Sequence, residues 1–260
     1  MKKMNIFMSV GLVLVMLIGA CTSTVQNDFS SGTQNTGTPQ SSEGRVVFAV
    51  TDAAADMGAV TSVKVTVDSV KVHSETEGWV TVSSSQKTYD LLQLKAQGKQ
   101  ELLVDAQLKE GTYDQLRLDI SNVIVTDASG SHEAKLPSGE LKINGNLFVE
   151  ANATSTATFD FIADESIHVT GNGKYIMAPV VQVETKSDAD AQIGNDNEVE
   201  IKGGSVRTSI KVGMDIDGNV GVNVRVPSNA NITIDSSGMV KLGSGNAKSN
   251  TNIGVGIGTE

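Results

Sequence analysis

Residues 111–126 read GTYDQLRLDISNVIVT. Leu116, Leu118 and Ile120 alternate with Arg117 and Asp119, which puts the three apolar side chains on one face of a strand. After Ser121-Asn122 the apolar positions shift to Val123 and Val125. A strand's side-chain period is two, so a change of parity requires a bulge or a kink. The same device stands upstream, where Val63, Val65 and Val67 give way, after Asp68-Ser69, to Val70 and Val72.

Outward from these two stretches the rest of the chain reads the same way. Arg45 to Thr51 (RVVFAVT) is a continuous apolar run, as expected of a strand buried on both faces, and DAAADMG (52–58) breaks it. Trp79, Val80 and Val82 begin a short strand, and YDLLQL (89–94) fits either a strand or a helical turn. Ala157, Phe159 and Phe161 alternate with Thr158 and Asp160, the phenylalanines facing inward. Ile167 and Val169 alternate with Ser166 and His168, and YIMAPVVQVET (175–185) closes the series, Pro179 marking an edge or a bulge. Asp127–Gly130, Asn144-Gly145 and Gly171–Gly173 read as turns. Many short strands with frequent turns predict an all-β fold, an antiparallel β-sandwich.

The character changes after Lys186. Residues 176–260 contain no Phe, Tyr or Trp, while 12 of the 26 glycines fall in 194–260. Such a stretch cannot build a large core of its own, yet it keeps strand patterns at 199–201, 210–216, 220–226, 232–234 and 239–242. The expectation is a glycine-rich β-hairpin region, 198–260, joined to a sandwich domain, 45–187, by an acidic linker at 188–197 (DADAQIGNDN), with Ser244–Glu260 frayed. Ile216–Val220 and Ile234–Val240 look alike, and two units are weak grounds for a repeat.

The N-terminus carries an address. Lys2 and Lys3 precede an apolar stretch, Ile6–Ile18, too short to span a bilayer and of a length suited to a signal peptide. Leu17-Ile18-Gly19-Ala20-Cys21 resembles the lipobox of prokaryotic lipoproteins. That resemblance implies cleavage after residue 20, a diacylglycerol on the Cys21 thiol and further acylation, with palmitate as a chain of this kind. Each buried CH₂ contributes roughly 0.8 kcal/mol, so two or more chains give stable attachment. Residues 21–44 then form the lipidated cysteine and a flexible Ser/Thr/Asn/Gly tether. Thr22 is not acidic, which implies outer-membrane sorting in a two-membrane cell and the cell surface otherwise. Cys21 is the only cysteine, so lipidation leaves no thiol for a disulfide or a thiolate metal site. Without the signal peptide the chain has 18 basic and 30 acidic residues, a net charge of −12, which argues against nucleic acid as a partner.

A family resemblance rests on residues spread along the sandwich. TDAAAD (51–56), the valine-rich strand after it, YDLL (89–92), GTYDQLRL (111–118), Phe159-Asp160-Phe161 with Ser166-Ile167, and 175–183 resemble domain of unknown function 4382. The likeness covers roughly residues 44–187, with Ala54 where members often carry proline. It implies a surface β-domain and no known activity. The Gly-Thr-Tyr run is also similar to prealbumin-like and immunoglobulin-like sandwich modules.

Candidate chemistry is sparse. His73 and His168 read as outward-facing and His132 as a turn residue, with none of the close spacing of a zinc site. No Gly-x-Ser-x-Gly elbow occurs, and Gly171-x-Gly173 lacks the third glycine of a dinucleotide fingerprint. Asp160, Asp164 and Glu165 cluster, but an acid–base pair needs a separation set in three dimensions. Asp52 and Asp56 are the calcium candidates, since hard cations take loop carboxylates. MDIDGN (214–219) starts like a calcium loop, but its glycine comes one position early and no glutamate closes it, so it reads as a hairpin turn. No other cofactor is implied. The expected function is a membrane-anchored, extracytoplasmic, non-enzymatic β-sandwich. Its partners would be the lipid bilayer, through Cys21, and a polysaccharide or an envelope protein. The alternatives are a calcium-dependent carbohydrate-binding or adhesion module and an envelope assembly subunit pairing through its C-terminal strands.

Overall fold

The computed structural model describes residues 42–54, 56–227 and 230–242. The signal peptide, Cys21, nearly all of the tether and the frayed end expected at 244–260 lie outside the described residues. The strands are β1 (Glu43–Asp52), β2 (Ser62–Ser74), β3 (Gly78–Ser83), β4 (Lys87–Asp90), β5 (Glu101–Lys109), β6 (Gly111–Asp127), β7 (Gly130–Glu133), β8 (Glu140–Val149), β9 (Thr154–Phe161), β10 (Ile167–Val169), β11 (Tyr175–Met177), β12 (Val180–Ile193), β13 (Val199–Met214), β14 (Val220–Val222), β15 (Ile232–Ile234) and β16 (Val240–Leu242). Two short helices interrupt them, α1 (Leu91–Gln97) and α2 (Ala163–Ser166). Among the described residues no helix is long and apolar enough to cross a membrane.

The fold is all-β, and its larger sheets face each other. Sheet 1 has the order β14-β13-β12-β9-β1-β5, and sheet 2 the order β3-β2-β6-β7, with β4 also paired to β2 and β8 to β6. Every ladder is antiparallel except one: β1 and β9 run parallel, from Arg45↔Thr154 to Asp52↔Phe161. Between the sheets lies the main core, including Phe48, Phe159, Phe161, Leu116, Leu118, Leu141 and Ile143, all fully buried. Each such side chain contributes roughly 1.5–3 kcal/mol relative to exposure.

The parity changes in β2 and β6 are bulges that face each other. Thr66 pairs with Asn122 and Val67 with Ile120, which leaves Ser121 without a counterpart, and the step from Val67 to Ser69 leaves out Asp68. The two extra residues bond to one another, the Ser121 hydroxyl donating to Asp68 Oδ1 at 2.8 Å. YDLLQL resolves into the end of β4 followed by α1. Asp90 caps the helix by accepting from the Gln93 N–H, and Gly98, at φ 62°, ends it.

β1 is buried on both faces, as RVVFAVT predicts. Val46, Phe48 and Val50 face the main core. Val47 and Ala49 face the other way, against Ala191 and Val199 from the far end of the β12–β13 hairpin. That hairpin shifts register at Thr185/Lys186 and passes through positive φ at Asp188 (53°), Gly203 (61°) and Gly204 (81°). Three hydrogen bonds of 2.8 Å fix its end, from Leu102 N–H to Asn197 O, Val199 N–H to Gln100 O and Arg45 Nη1 to Ala191 O.

The expected linker at 188–197 and the separate tail from 198 are corrected here. Residues 188–193 are the end of β12, and 199–214 form β13 inside sheet 1. The acidic residues that suggested a linker are the outward half of an alternation. Asp188, Asp190 and Gln192 are exposed, while Ala189 and Ala191 are buried. Further along, Val212 and Met214 join the main core. Of the described strands after residue 198, β15 and β16 alone stand outside sheet 1, as a two-stranded sheet, like β10 and β11 earlier in the chain; their Ile232 and Val240 pack on Ile176, Ala178, Ile216 and Val226. The two look-alike segments are equivalent turns, though in register at Asp215 and Asp235. The Asp215 carboxylate accepts from the N–H of Asp217 and Asn219, and that of Asp235 from Ser237 and Met239, with Gly218 and Gly238 at φ 86° and 82°. MDIDGN is therefore a hairpin turn.

Candidate functional site

The outer face of sheet 2 gathers the polar side chains left over when its strands bury their apolar ones. On β6, Leu116, Leu118 and Ile120 point into the core, so Gln115, Arg117 and Asp119 point out. β8 continues through Asn144-Gly145, which corrects the turn expected there; Leu141 and Ile143 point in, so Lys142 and Asn144 point out. The β2–β3 hairpin turns at Gly78, at φ 66°, with the Glu77 N–H bonded to Ser74 Oγ, and sets Trp79 opposite His73.

Trp79, the single tryptophan of the chain, is 39% exposed. The Arg117 guanidinium lies 4.3 Å from the indole centroid and the Lys142 ammonium 5.8 Å from it. The His73 ring sits 5.2 Å away, tilted by 56°. An exposed cation–π contact contributes about 0.5–1 kcal/mol, so the two together favour this orientation of the ring. A charge network surrounds it. Arg117 Nη1 donates to Glu140 Oε1 at 3.1 Å, Lys71 Nζ to Asp119 Oδ2 at 2.6 Å, and His73 Nδ1 lies 2.7 Å from Asp114 Oδ1. Ser69 Oγ also donates to Asp119. Burial opposes ionisation of Asp119, but Lys71 and Ser69 outweigh it and hold its carboxyl below the usual range. Among the described residues, Gln115 Oε1, Arg117 Nε and Asp119 Oδ1, all from the outward row of β6, are buried with no hydrogen-bond partner. The face continues into a groove of about 490 Å³ lined by Gln115, Ser138, Glu140, Lys142, Asn144 and Gly218. That is within the roughly 300–1,000 Å³ of small-ligand sites.

The calcium candidates lie in different surroundings. Asp52 ends β1 on the core side, 5% exposed, and its Oδ1 accepts from the N–H groups of Ala54 and Ala163 at 3.2 Å each. Burial pushes its carboxyl up to about 6, against the pull of those two N–H groups. Asp56 is exposed and caps its own turn, accepting from the Gly58 N–H at 2.9 Å. The described residues contain no group of three or more His, Cys, Asp or Glu placed to hold a metal ion. Asp160 pairs with Thr51 in the β1–β9 register, so it points to the opposite face from Asp52 and forms no dyad with it. Burial raises its carboxyl as well. Glu165, on α2 beside Asp164, bonds to Lys211 at 2.6 Å and lies 3.5 Å from Arg225.

One cluster brings serine, histidine and aspartate together at the β6–β7 hairpin, with His132 on β7 itself and not in the turn expected for it. Ser129 Oγ lies 2.9 Å from His132 Nε2 and donates to Asp127 Oδ1 at 2.6 Å, while the same Nε2 lies 3.2 Å from Asp127 Oδ1. Tyr175 Oη donates to Asp127 Oδ2 at 2.7 Å. A nucleophilic triad needs the carboxylate on the imidazole nitrogen opposite the hydroxyl. Here both address one nitrogen, so the cluster braces the turn instead. Its donors, Ser129 first, hold the Asp127 carboxyl far below the usual range.

His73 is outward, as expected. His168 is not: it is largely shielded, burial lowers its proton affinity, and its neighbour Val169 is the exposed residue, at 55%. The sequence gives no sign of the face around Trp79, because alternation tells which side chains point out, but not which strands lie side by side. Arg117 and Lys142 approach Trp79 from β6 and β8, across β2.

The family described as Domain of unknown function (DUF4382) matches residues 43–179. The chain belongs to this family. The match spans β1 to β11 and stops before β12, close to the end expected at residue 187. The strands that complete sheet 1 and cover β1 therefore lie beyond the DUF4382 match, although Val181, Val183, Val212 and Met214 share its core. Comparison with curated proteins and with solved structures finds no match.

Proposed function

We propose that this DUF4382 protein is a lipid-anchored, extracytoplasmic binding protein without catalytic activity. Cys21 carries the lipid, the segment to residue 44 is the tether, and the outer face of sheet 2 is the binding surface. The observation that supports the binding face is Trp79, an aromatic ring half in water yet held by Arg117, Lys142 and His73 beside a polar groove. A ring fixed in this way loses little conformational freedom when a ligand settles on it. The sequence Leu17–Cys21 supports the anchor. Two experiments test the reading. Cys21→Ser is expected to move the protein from the membrane to the soluble fraction and to abolish labelling by a palmitate analogue; unchanged partitioning overturns the anchor. A photo-crosslinker replacing Thr81, beside Trp79 on β3, is expected to capture envelope material on intact cells, whereas one at Asp190, on the exposed back of the hairpin that covers β1, captures none. Equal yields overturn the binding face.

A second reading, assembly through C-terminal strands, has one support. Over residues 200–210 β13 pairs with β12 on one edge only among the described residues, and Val206 there is 53% exposed. Val206→Lys is expected to dissociate any oligomer formed through that edge, read by analytical ultracentrifugation.

A further inference from the structure

The partners that the outer face of sheet 2 lacks define the chemistry that would fit it. Gln115 Oε1 and Asp119 Oδ1 are acceptors, Arg117 Nε is a donor, and all three are buried and unpartnered on consecutive outward positions of β6. A single ligand that satisfies such a mixed row must both donate and accept at closely spaced points. Hydroxyl groups do this, since each offers one hydrogen and two lone pairs. A phosphate or carboxylate accepts only. It would suit Arg117 but meet the lone pairs of Gln115 and the charges of Asp119, Glu140 and Asp114. Two of the cations on this side are engaged already, Lys71 with Asp119 and Arg117 with Glu140, while Lys142 lies over the indole.

A protein partner fits poorly. Stable protein interfaces bury about 800 Å² per partner around an apolar centre. In the rows formed by residues 69–73, 115–119 and 140–144, the outward side chains are polar and Trp79 supplies the one large apolar surface. One aromatic ring beside planar amide, carboxylate and guanidinium groups matches a sugar, whose C–H face packs on an indole while its rim of hydroxyls bonds sideways.

We propose that the outer face of sheet 2 binds a neutral glycan chain, with Trp79 as the stacking platform, Gln115, Arg117 and Asp119 as the hydrogen-bonding row, and the groove beside Asn144 and Gly218 receiving the next sugar units. The inference rests on the binding face proposed above. Arg117 and Lys142 reach across β2 to the indole, so their stems lie along the sheet over this row. Arg117 keeps its place beside Glu140 and the indole, and rotation of the longer-reaching Lys142 opens the row to the ligand at the cost of its own cation–π contact.

Because Trp79 is the only tryptophan, its emission reports on the site directly. Full-length protein in detergent is titrated with neutral hexasaccharides of glucose, xylose, mannose, galactose and N-acetylglucosamine, and with polygalacturonate as the anionic arm. At least one neutral hexasaccharide is expected to shift Trp79 emission saturably, with an affinity that changes little between low and high salt. Calorimetry is expected to show a loss of about tenfold or more for Trp79→Ala and for Gln115→Leu, and partial recovery in Trp79→Phe, which keeps a platform. Thermal melts confirm that each variant is folded. The proposal is overturned if no neutral hexasaccharide binds, if only polygalacturonate binds and salt releases it, or if Trp79→Ala and Gln115→Leu bind as the parent does. If the glycans fail while the crosslinker beside Trp79 captures a protein, the glycan falls and the binding face stands; if both fail, both fall.

Discussion

The two sheets treat their outer faces in opposite ways. Sheet 1 hides its own: Val47 and Ala49 lie under Ala191 and Val199, and the chain bends a long hairpin back to cover them. Sheet 2 leaves its face open and furnishes it with charge, amides and one indole. Covering apolar area stabilises a fold; a row of unpartnered polar atoms does not. The first face is explained by folding alone. The second calls for another reason, and ligand binding is the one proposed here.

The comparison is open to attack at its stronger side first. Val47→Asp places a carboxylate without a partner between β1 and the hairpin, and is expected to lower the unfolding free energy by more than about 3 kcal/mol, read from urea denaturation. A smaller loss would mean that the hairpin lifts away readily and that both faces are open. Asp52→Asn tests the one acid sheet 1 turns toward the core. Its carboxyl titrates at about 6 in the folded chain, above the model-compound value of 3.8, so the native state holds the proton more tightly. The stability this confers is complete below about pH 4 and is lost as pH rises through 6. Asparagine keeps the oxygen that accepts from Ala54 and Ala163 and removes the charge. Above pH 7 it is expected to be more stable than the parent by up to about 3 kcal/mol, the gain vanishing near pH 4. A variant weaker than the parent at pH 8 would show that the buried charge is compensated.

Gly213→Ala probes the seam where β13 meets the segment after β14. An added Cβ would stand 1.9 Å from the Val224 carbonyl oxygen, so the backbone must move. A loss of about 1–3 kcal/mol is expected in the same assay. On the open face the effects shrink. Trp79→Ala is expected to cost less than about 1 kcal/mol, the scale of its exposed cation contacts. Lys142→Thr is expected to stay within about 0.5 kcal/mol. Stability losses there as large as at Val47 would make Trp79 a packing residue and remove the contrast between the faces.

Much of the fold was legible because its signals were local. RVVFAVT has no polar position between Arg45 and Thr51, and only a strand covered on both sides tolerates that. Asp68-Ser69 and Ser121-Asn122 break parity, and both are bulges. What escaped was set by long-range pairing. DADAQI reads as solvated linker because its alanines are too small to announce burial, although alanine is what fits beneath a hairpin lying close on β1. The β1–β9 register joins residues more than a hundred positions apart, with no mark in either segment to specify it. The candidate site was invisible for the same reason: Trp79, Gln115, Arg117 and Lys142 share no motif, and four strands must assemble before they meet. The calcium candidates Asp52 and Asp56 were close in sequence, yet the end of β1 turns one toward the core and leaves the other in water.

The parallel pairing of β1 with β9 also sets a timetable. A chain made from its N-terminus releases Val46–Val50 early, but the neighbour on one side of that strand ends at residue 161 and the hairpin over its outer face begins at residue 180. For most of synthesis the greasiest strand of the molecule waits uncovered, a sticky segment at risk of joining another chain. Export before folding, with escort until the last third arrives, would turn that hazard into an orderly assembly.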